Sequence, residues 1–321
     1  MPNGPQLKES AKVGGTDMID NKSLKKYYAD VSHDELKKLQ DFLATHEIKH
    51  IDVEEKSVKY YSCGKGEHTI LTFSGGHSGL ETVYETVLGF EKEFRMVVVD
   101  ISLFTSIPEF EFGVNRVLDI EGVGRVFVIG QSLSGVYSQI YFKSNYDNVD
   151  AMVLTNTFAP SRKKSRRWAL ILLRFFPFYL LKAVFKREMR KWSPVAEIPT
   201  EARERLHFKS AFMKQVVDQQ FSKGFLMNAV KVVFQFHKDG EYTIETFKDW
   251  KGKILIMSSK DDPCYKDLDI LRKHLPHSEL FLFAEGYRHM APMVFRDEFH
   301  NRIKDFFKIS SKMKNRPPHP E

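Results

Sequence analysis

The sequence predicts an α/β fold: a mostly parallel central sheet with helices on both faces and a helical segment inserted late in the chain. Three observations predict it. Short β-branched runs such as "RMVVVD", "RVFVIG" and "KILIMSS" alternate with stretches whose apolar residues follow helical spacing. Apolar runs without interruption belong to strands buried on both faces, as in a parallel sheet covered by helices. The alternation stops near Pro160 and resumes near residue 247, which marks one core divided by an insertion.

The elements follow in order. Residues 1–24 are rich in Gly, Pro and polar side chains and lack an apolar h-region, so they read as a disordered lead and not as a signal peptide. The first part of the core is expected over residues 25–157. Ser32-His-Asp-Glu35 has the spacing of a capping box opening a helix through about residue 46. "HIDVEEKSVKYYSC" alternates like a strand pair, and "GKGE" turns the chain. "HTILTFSGG" is a strand ending in glycines and "LETVYETVLGFEKEF" a helix. The strand "RMVVVDIS", the helix "PEFEFGVNRVLDI", the strand "RVFVIG", the helix "LSGVYSQIYFKSN" and the strand "VDAMVLTNTF" continue the pattern. Residues 158–246 are helical, basic and aromatic. The second part of the core, 247–309, holds the strand "KILIMSS", the helix "YKDLDILRKHL", the strand "ELFLFAEG" and the helix "MVFRDEFHNRIKDFF". Residues 310–321 read as a flexible tail.

Composition narrows the class. The 321 residues are 42% apolar, enough for a sizeable core. Net charge is +7, but Arg162–Lys191 holds eleven Lys and Arg against one acid, a net +10, so the rest sums to −3. The basicity belongs to one segment. Two cysteines, Cys63 and Cys264, with no C-x-x-C spacing predict no disulfide framework and a reducing, cytoplasmic compartment. His274 and His277 are separated by the helix-breaking Pro276, and no metal-binding motif is present, so neither a metal nor a cofactor is expected.

In open parallel sheets, ligands bind beyond the carboxyl ends of the strands. After "RVFVI" comes Gly130-Gln131-Ser132-Leu133-Ser134-Gly135. A serine turn is ordinary, but one between a buried strand and a helix is a candidate nucleophile. A sharp strand-to-helix turn exposes the central residue and demands small neighbours, which Gly130 and Ser134 supply. After "TILTF" comes Ser74-Gly75-Gly76-His77-Ser78-Gly79. The backbone N–H groups of Gly76 and Leu133 are the candidate oxyanion donors that acyl transfer requires. His77 is at most a pocket-lining residue. After "KILIMSS" come Asp261 and Asp262; the D-P step favours Asp262 as the orienting carboxylate, with Asp261 the alternative. After "ELFLFAEG" comes His289, 27 residues beyond Asp262, far enough for one helix and one strand between them. It is the candidate general base.

The chain order Ser132, Asp262, His289 resembles that of α/β-hydrolase triads. The resemblance covers about residues 50–310 and implies an α/β-hydrolase fold with an inserted helical cap. Within that superfamily, "FSGGHSGLETVYETVL", "VFVIGQSLSGVYSQIYF" followed by "AMVLTNTF", and "FFPFYLLKAVF" are most similar to maspardin-type proteins. The superfamily resemblance implies a serine hydrolase, carboxylesterase- or lipase-like, cleaving a small apolar ester or acyl substrate. The narrower one implies an alternative, a non-catalytic binding or regulatory protein with a protein partner. Acyl transfer uses the same equipment. One departure stands out: Ser74-Gly75 occupies the place of the common His-Gly of the oxyanion loop.

The stretch Arg162–Trp192 has an apolar centre and cationic flanks. Arg174, Pro177 and Lys182 interrupt the apolar part, so a membrane-spanning helix is not expected. Two expectations compete: a cap helix pair covering the site, and a segment that also leans on an anionic membrane surface, making the protein peripheral on membranes. No nucleic-acid-binding module accompanies it, so no nucleic-acid partner is expected.

Overall fold

A computed structural model of the chain describes residues 19–53, 55–76, 79–162, 174–190, 194–239, 247, 249–275 and 277–314. The strand-forming runs assemble into one sheet. Its strands are β1 Lys49–Val53, β2 Lys56–Cys63, β3 Thr69–Phe73, β4 Arg95–Val99, β5 Val126–Gln131, β6 Val149–Thr155, β7 Lys253–Ser258 and β8 Glu279–Leu282. Their order is β1-β2-β4-β3-β5-β6-β7-β8. β2 pairs antiparallel with both β1 and β4, and every other pairing is parallel.

The helices are α1 Asn21–Tyr27, α2 His33–Thr45, α3 Tyr84–Phe90, α4 Ile107–Ile120, α5 Leu133–Asn145, α6 Phe178–Arg190, α7 Thr200–Gln219, α8 Lys223–Asp239, α9 Leu268–His274, α10 Ala291–Val294 and α11 Arg296–Lys314. Successive residues of a strand point to opposite faces, and both faces here are apolar. Val97, Val99 and Val128 join a core with Phe110 and Val114 of α4 and Val136 and Tyr137 of α5. Met96, Val98 and Ile129 join the other core, with Phe42 of α2, Phe90 of α3 and Phe299, Ile303 and Phe307 of α11.

Several boundaries differ from expectation. α1 begins at Asn21, inside the stretch 1–24 expected to be disordered; the Asp20 carboxylate accepts from Ser23 N at 2.7 Å, and Gln219 Nε2 donates to Ser23 Oγ at 3.2 Å. Residues 1–18 lie outside the described residues. α2 starts after Ser32 as the motif predicts, but the Ser32 side chain makes no capping bond, and Glu35 pairs with Lys38 instead. α11 runs past residue 310, with Ser310 buried and its Oγ donating to Phe306 O at 2.8 Å. Of the expected tail, residues 315–321 lie outside the description.

Between β6 and β7 the chain forms α6, α7 and α8. Two of these are built into the cores: Phe208, Phe212 and Val216 of α7 into one, Val232 and Phe236 of α8 into the other. Lys209 of α7 is buried and balanced by Glu85 of α3, Nζ to Oε2 2.9 Å. Among the described residues, no helix is long and apolar enough to cross a membrane.

Candidate active site

The site is built at the carboxyl ends of β3, β5, β6, β7 and β8. At the end of β5 the chain turns so sharply into α5 that Ser132 takes φ 55° and ψ −122°. A non-glycine residue there is strained by about 1–3 kcal/mol, and such strain persists only where the surroundings hold it. Here they do. Ser132 N donates to Thr155 O at 3.0 Å, and Thr157 Oγ1 donates to Ser132 O at 2.7 Å. The turn also needs small residues. A Cβ on Gly130 would lie 2.6 Å from the Gly135 Cα, and one on Gly135 would lie 2.5 Å from Thr157 Oγ1. The tight approach thus falls on Gly130 and Gly135, with Ser134 buried beside them.

The loop after β3 comes up against the start of α5. A Cβ on Gly76 would stand 3.6 Å from Leu133 Cβ, so the two residues expected to supply oxyanion donors are neighbours. Ser74, in the place of the common histidine, is fully buried. Its hydroxyl donates to Asp100 Oδ1 at 3.0 Å and accepts from Ile101 N at 3.1 Å. Asp100 also accepts from Ser102 N at 3.0 Å and from Ser102 Oγ at 2.8 Å. Ser74 therefore fastens this loop to the end of β4. Burial raises the Glu81 carboxyl above its ordinary range, against the lowering effect of bonds from its own backbone and Gln220. His77 lies outside the described residues.

Of the two adjacent acids, Asp262 is the one beside the histidine. Asp262 Oδ2 is 2.7 Å from His289 Nδ1, and both side chains are buried. Its other oxygen, Oδ1, accepts from Cys264 N at 2.6 Å. Asp261 turns away and accepts from Gly286 N at 2.7 Å. The loop carrying His289 is tied to the strand end beside Ser132: Asn156, next to Thr155 and Thr157, donates from Nδ2 to His289 O at 3.4 Å.

Asp100, Asn156 and Thr157 are supporting residues that sequence reasoning passed over. Asp100 and Asn156 carried one readable signal, a polar residue directly after a buried strand. Two groups among the described residues bring three potential ligand atoms within 4.8 Å of one another: Asp262, Cys264 and His289, and His46, Cys63 and Glu91. The first is the site itself. In the second, His46 Nε2 lies 2.7 Å from Glu91 Oε2, a direct pairing of the two side chains.

No protein-family model and no curated protein matches the sequence. Solved structures do. Est816, described as an N-acyl homoserine lactone degrading enzyme, aligns at 14% identity with a TM-score of 0.63, covering 80% of this chain and 100% of its own. A thermophilic esterase from Thermogutta terrifontis aligns at 14% identity and TM-score 0.61, covering 82% and 99%. The naproxen esterase of Bacillus subtilis aligns at 13% identity and TM-score 0.56, covering 87% and 99%. With the strand order above, these likenesses define the class: the chain has the α/β-hydrolase fold.

Proposed function

We propose that the protein is a serine hydrolase that cleaves an apolar ester or related acyl substrate. The observation that carries this reading is the buried Asp262–His289 pair at 2.7 Å, held against the strand end where Ser132 sits at positive φ. A carboxylate on Nδ1 fixes the imidazole tautomer in which Nε2 is the proton acceptor. His289 removes the Ser132 proton through Nε2, and Ser132 attacks the carbonyl carbon. The N–H groups of Gly76 and Leu133 hold the developing oxyanion, and the leaving alcohol takes the proton back from His289. Water, activated the same way, then releases the acid.

The preference for apolar substrate is supported by what covers Leu133. Val217, Phe221 and Phe225 form an apolar cluster with Leu133, Phe178 and Leu226 packed on it. The test is turnover of 4-nitrophenyl esters of increasing acyl length by the wild type and by Ser132→Ala. The reading requires measurable turnover that rises with acyl length, and a loss on the order of 10⁴ or more in the variant. The resemblance to maspardin-type proteins carries the competing reading, a binding protein of the same fold. It requires no turnover with any ester.

A further inference from the structure

We propose that the outward face of α6 and the turn before it form a docking surface for an anionic lipid membrane. Among the described residues, ten large apolar side chains are exposed, and five of them lie within ten positions. These are Phe175 (78% exposed), Phe176 (41%), Tyr179 (71%), Leu180 (39%) and Val184 (53%). A helix bordering water turns its charged side chains outward and its apolar stripe inward. α6 departs from this over its first two turns. Tyr179, Leu180, Ala183 and Val184 face out. Lys182 faces in, its Nζ 3.8 Å from Asp218 Oδ1 and donating to Asp218 O at 3.3 Å. Phe178 and Leu181 are half-buried beside it, and Phe178 stacks on Phe221 with ring centroids 6.0 Å apart. The lysine is thus fastened under the helix while aromatic and aliphatic groups stand in solvent.

Charge selects the occupant. Arg174 and Arg187 flank the apolar face and are exposed. In sequence, this face belongs to the segment Arg162–Lys191, with its net +10. A second copy of the chain would bring Arg174 and Arg187 against like charges, so self-association through this face is opposed. An anionic bilayer offers both complements at once: acyl chains for the aromatic centre and acidic headgroups for the cationic rim, the pattern of a helix lying in the interface. The docked face is one layer from the candidate site, since Phe178 and Leu133 pack on the same cluster. On the hydrolase reading above, this would hold the site over the source of an apolar substrate; the docking itself does not depend on catalysis.

The test is co-sedimentation of the full-length protein with phosphatidylcholine vesicles, with and without phosphatidylserine. Binding should require phosphatidylserine and weaken as salt rises, because screening acts over about 10 Å at 0.1 M. Each cationic side chain near such a surface is worth about fivefold in partitioning. The pair Arg174→Gln and Arg187→Gln should therefore weaken binding by about 25-fold. The pair Phe175→Ser and Tyr179→Ser should weaken it by about tenfold or more while circular dichroism stays unchanged, since both side chains are exposed. Equal sedimentation with both vesicle types, no sedimentation with either, or insensitivity to both pairs overturns the proposal. So does a lipid-free dimer in analytical ultracentrifugation that Phe175→Ser with Tyr179→Ser dissolves.

Discussion

Replacing Asp262 by Asn should nearly abolish turnover, and the hydrogen bonds around it say why. The carboxylate accepts twice, from Cys264 N at 2.6 Å through Oδ1 and from His289 Nδ1 at 2.7 Å through Oδ2. Asparagine offers one oxygen and one NH₂ group. The Cys264 backbone N–H can only donate, so the amide oxygen stays with it and the NH₂ turns to His289. Nδ1 must then accept, the ring proton moves to Nε2, and the histidine can no longer take a proton from Ser132. An orienting acid lost in this way costs on the order of 10⁴ in turnover, about 5.5 kcal/mol of transition-state stabilisation. Asp261 gives the control. Its Oδ2 accepts only from Gly286 N at 2.7 Å among the bonds described, and an asparagine oxygen can replace it there. Asp261→Asn should lose less than about tenfold, the cost of one weakened hydrogen bond. Both variants are assayed by steady-state hydrolysis of a soluble 4-nitrophenyl ester, with thermal unfolding as the folding control. Turnover by Asp262→Asn within tenfold of wild type, or a larger loss in Asp261→Asn, would mean that Asp262 does not orient His289.

Other perturbations test the supports of the site and the fold. Ser74→Ala leaves Ile101 N without its hydroxyl acceptor and Asp100 Oδ1 without its hydroxyl donor. The loop carrying Gly76 should loosen, and kcat should fall by about 10- to 100-fold, short of the loss from deleting an oxyanion donor outright. Gly130→Ala puts a Cβ 2.6 Å from the Gly135 backbone and should cost about 1–3 kcal/mol in chemical denaturation. Gly124→Ala, where a Cβ meets nothing within 4 Å, should cost far less. Burial, reinforced by Arg296, lowers the His300 pKa to about 4. A group neutral in the folded chain but charged on unfolding contributes stability that is full above about pH 6.5 and is lost as pH falls toward 4. Wild type should therefore lose about 2 kcal/mol through this group between pH 7 and pH 5. His300→Gln should show a shallower decline over that range, measured by urea titration at the two pH values.

The sheet was legible in the sequence because its inner strands are buried on both faces, and such strands carry unbroken apolar runs, as Met96–Val99 does. Strand order was not, since nothing within β4 states that it pairs with β2 on one side and β3 on the other. The residues at the strand ends were legible as candidates because turns and breaks delimit them. The choice between Asp261 and Asp262 stayed open, because adjacent residues share a position along the chain and differ only in where their side chains point. The support of the loop carrying Gly76 was hidden for a different reason: Ser74 finds its partner, Asp100, 26 residues away. The Ser32 capping box failed at the level of the side chain. Its Glu35 is held by Lys38, three residues on, and spacing alone does not weigh such competitors. The inserted segment was legible as helical but not as structural, because an amphipathic pattern does not name the surface it covers. α7 and α8 cover the two cores, whereas Tyr179, Leu180 and Val184 of α6 are exposed.

The most direct measurement is labelling of the intact protein by a fluorophosphonate, followed by mass mapping of the modified peptide. The reagent reacts with a serine whose hydroxyl is activated by a neighbouring base and leaves ordinary serines untouched. One label per chain is expected, on Ser132 in the peptide around "IGQSLSG", absent in Ser132→Ala and strongly slowed in His289→Ala. A folded protein that takes no label, or a label on any other residue, would contradict it.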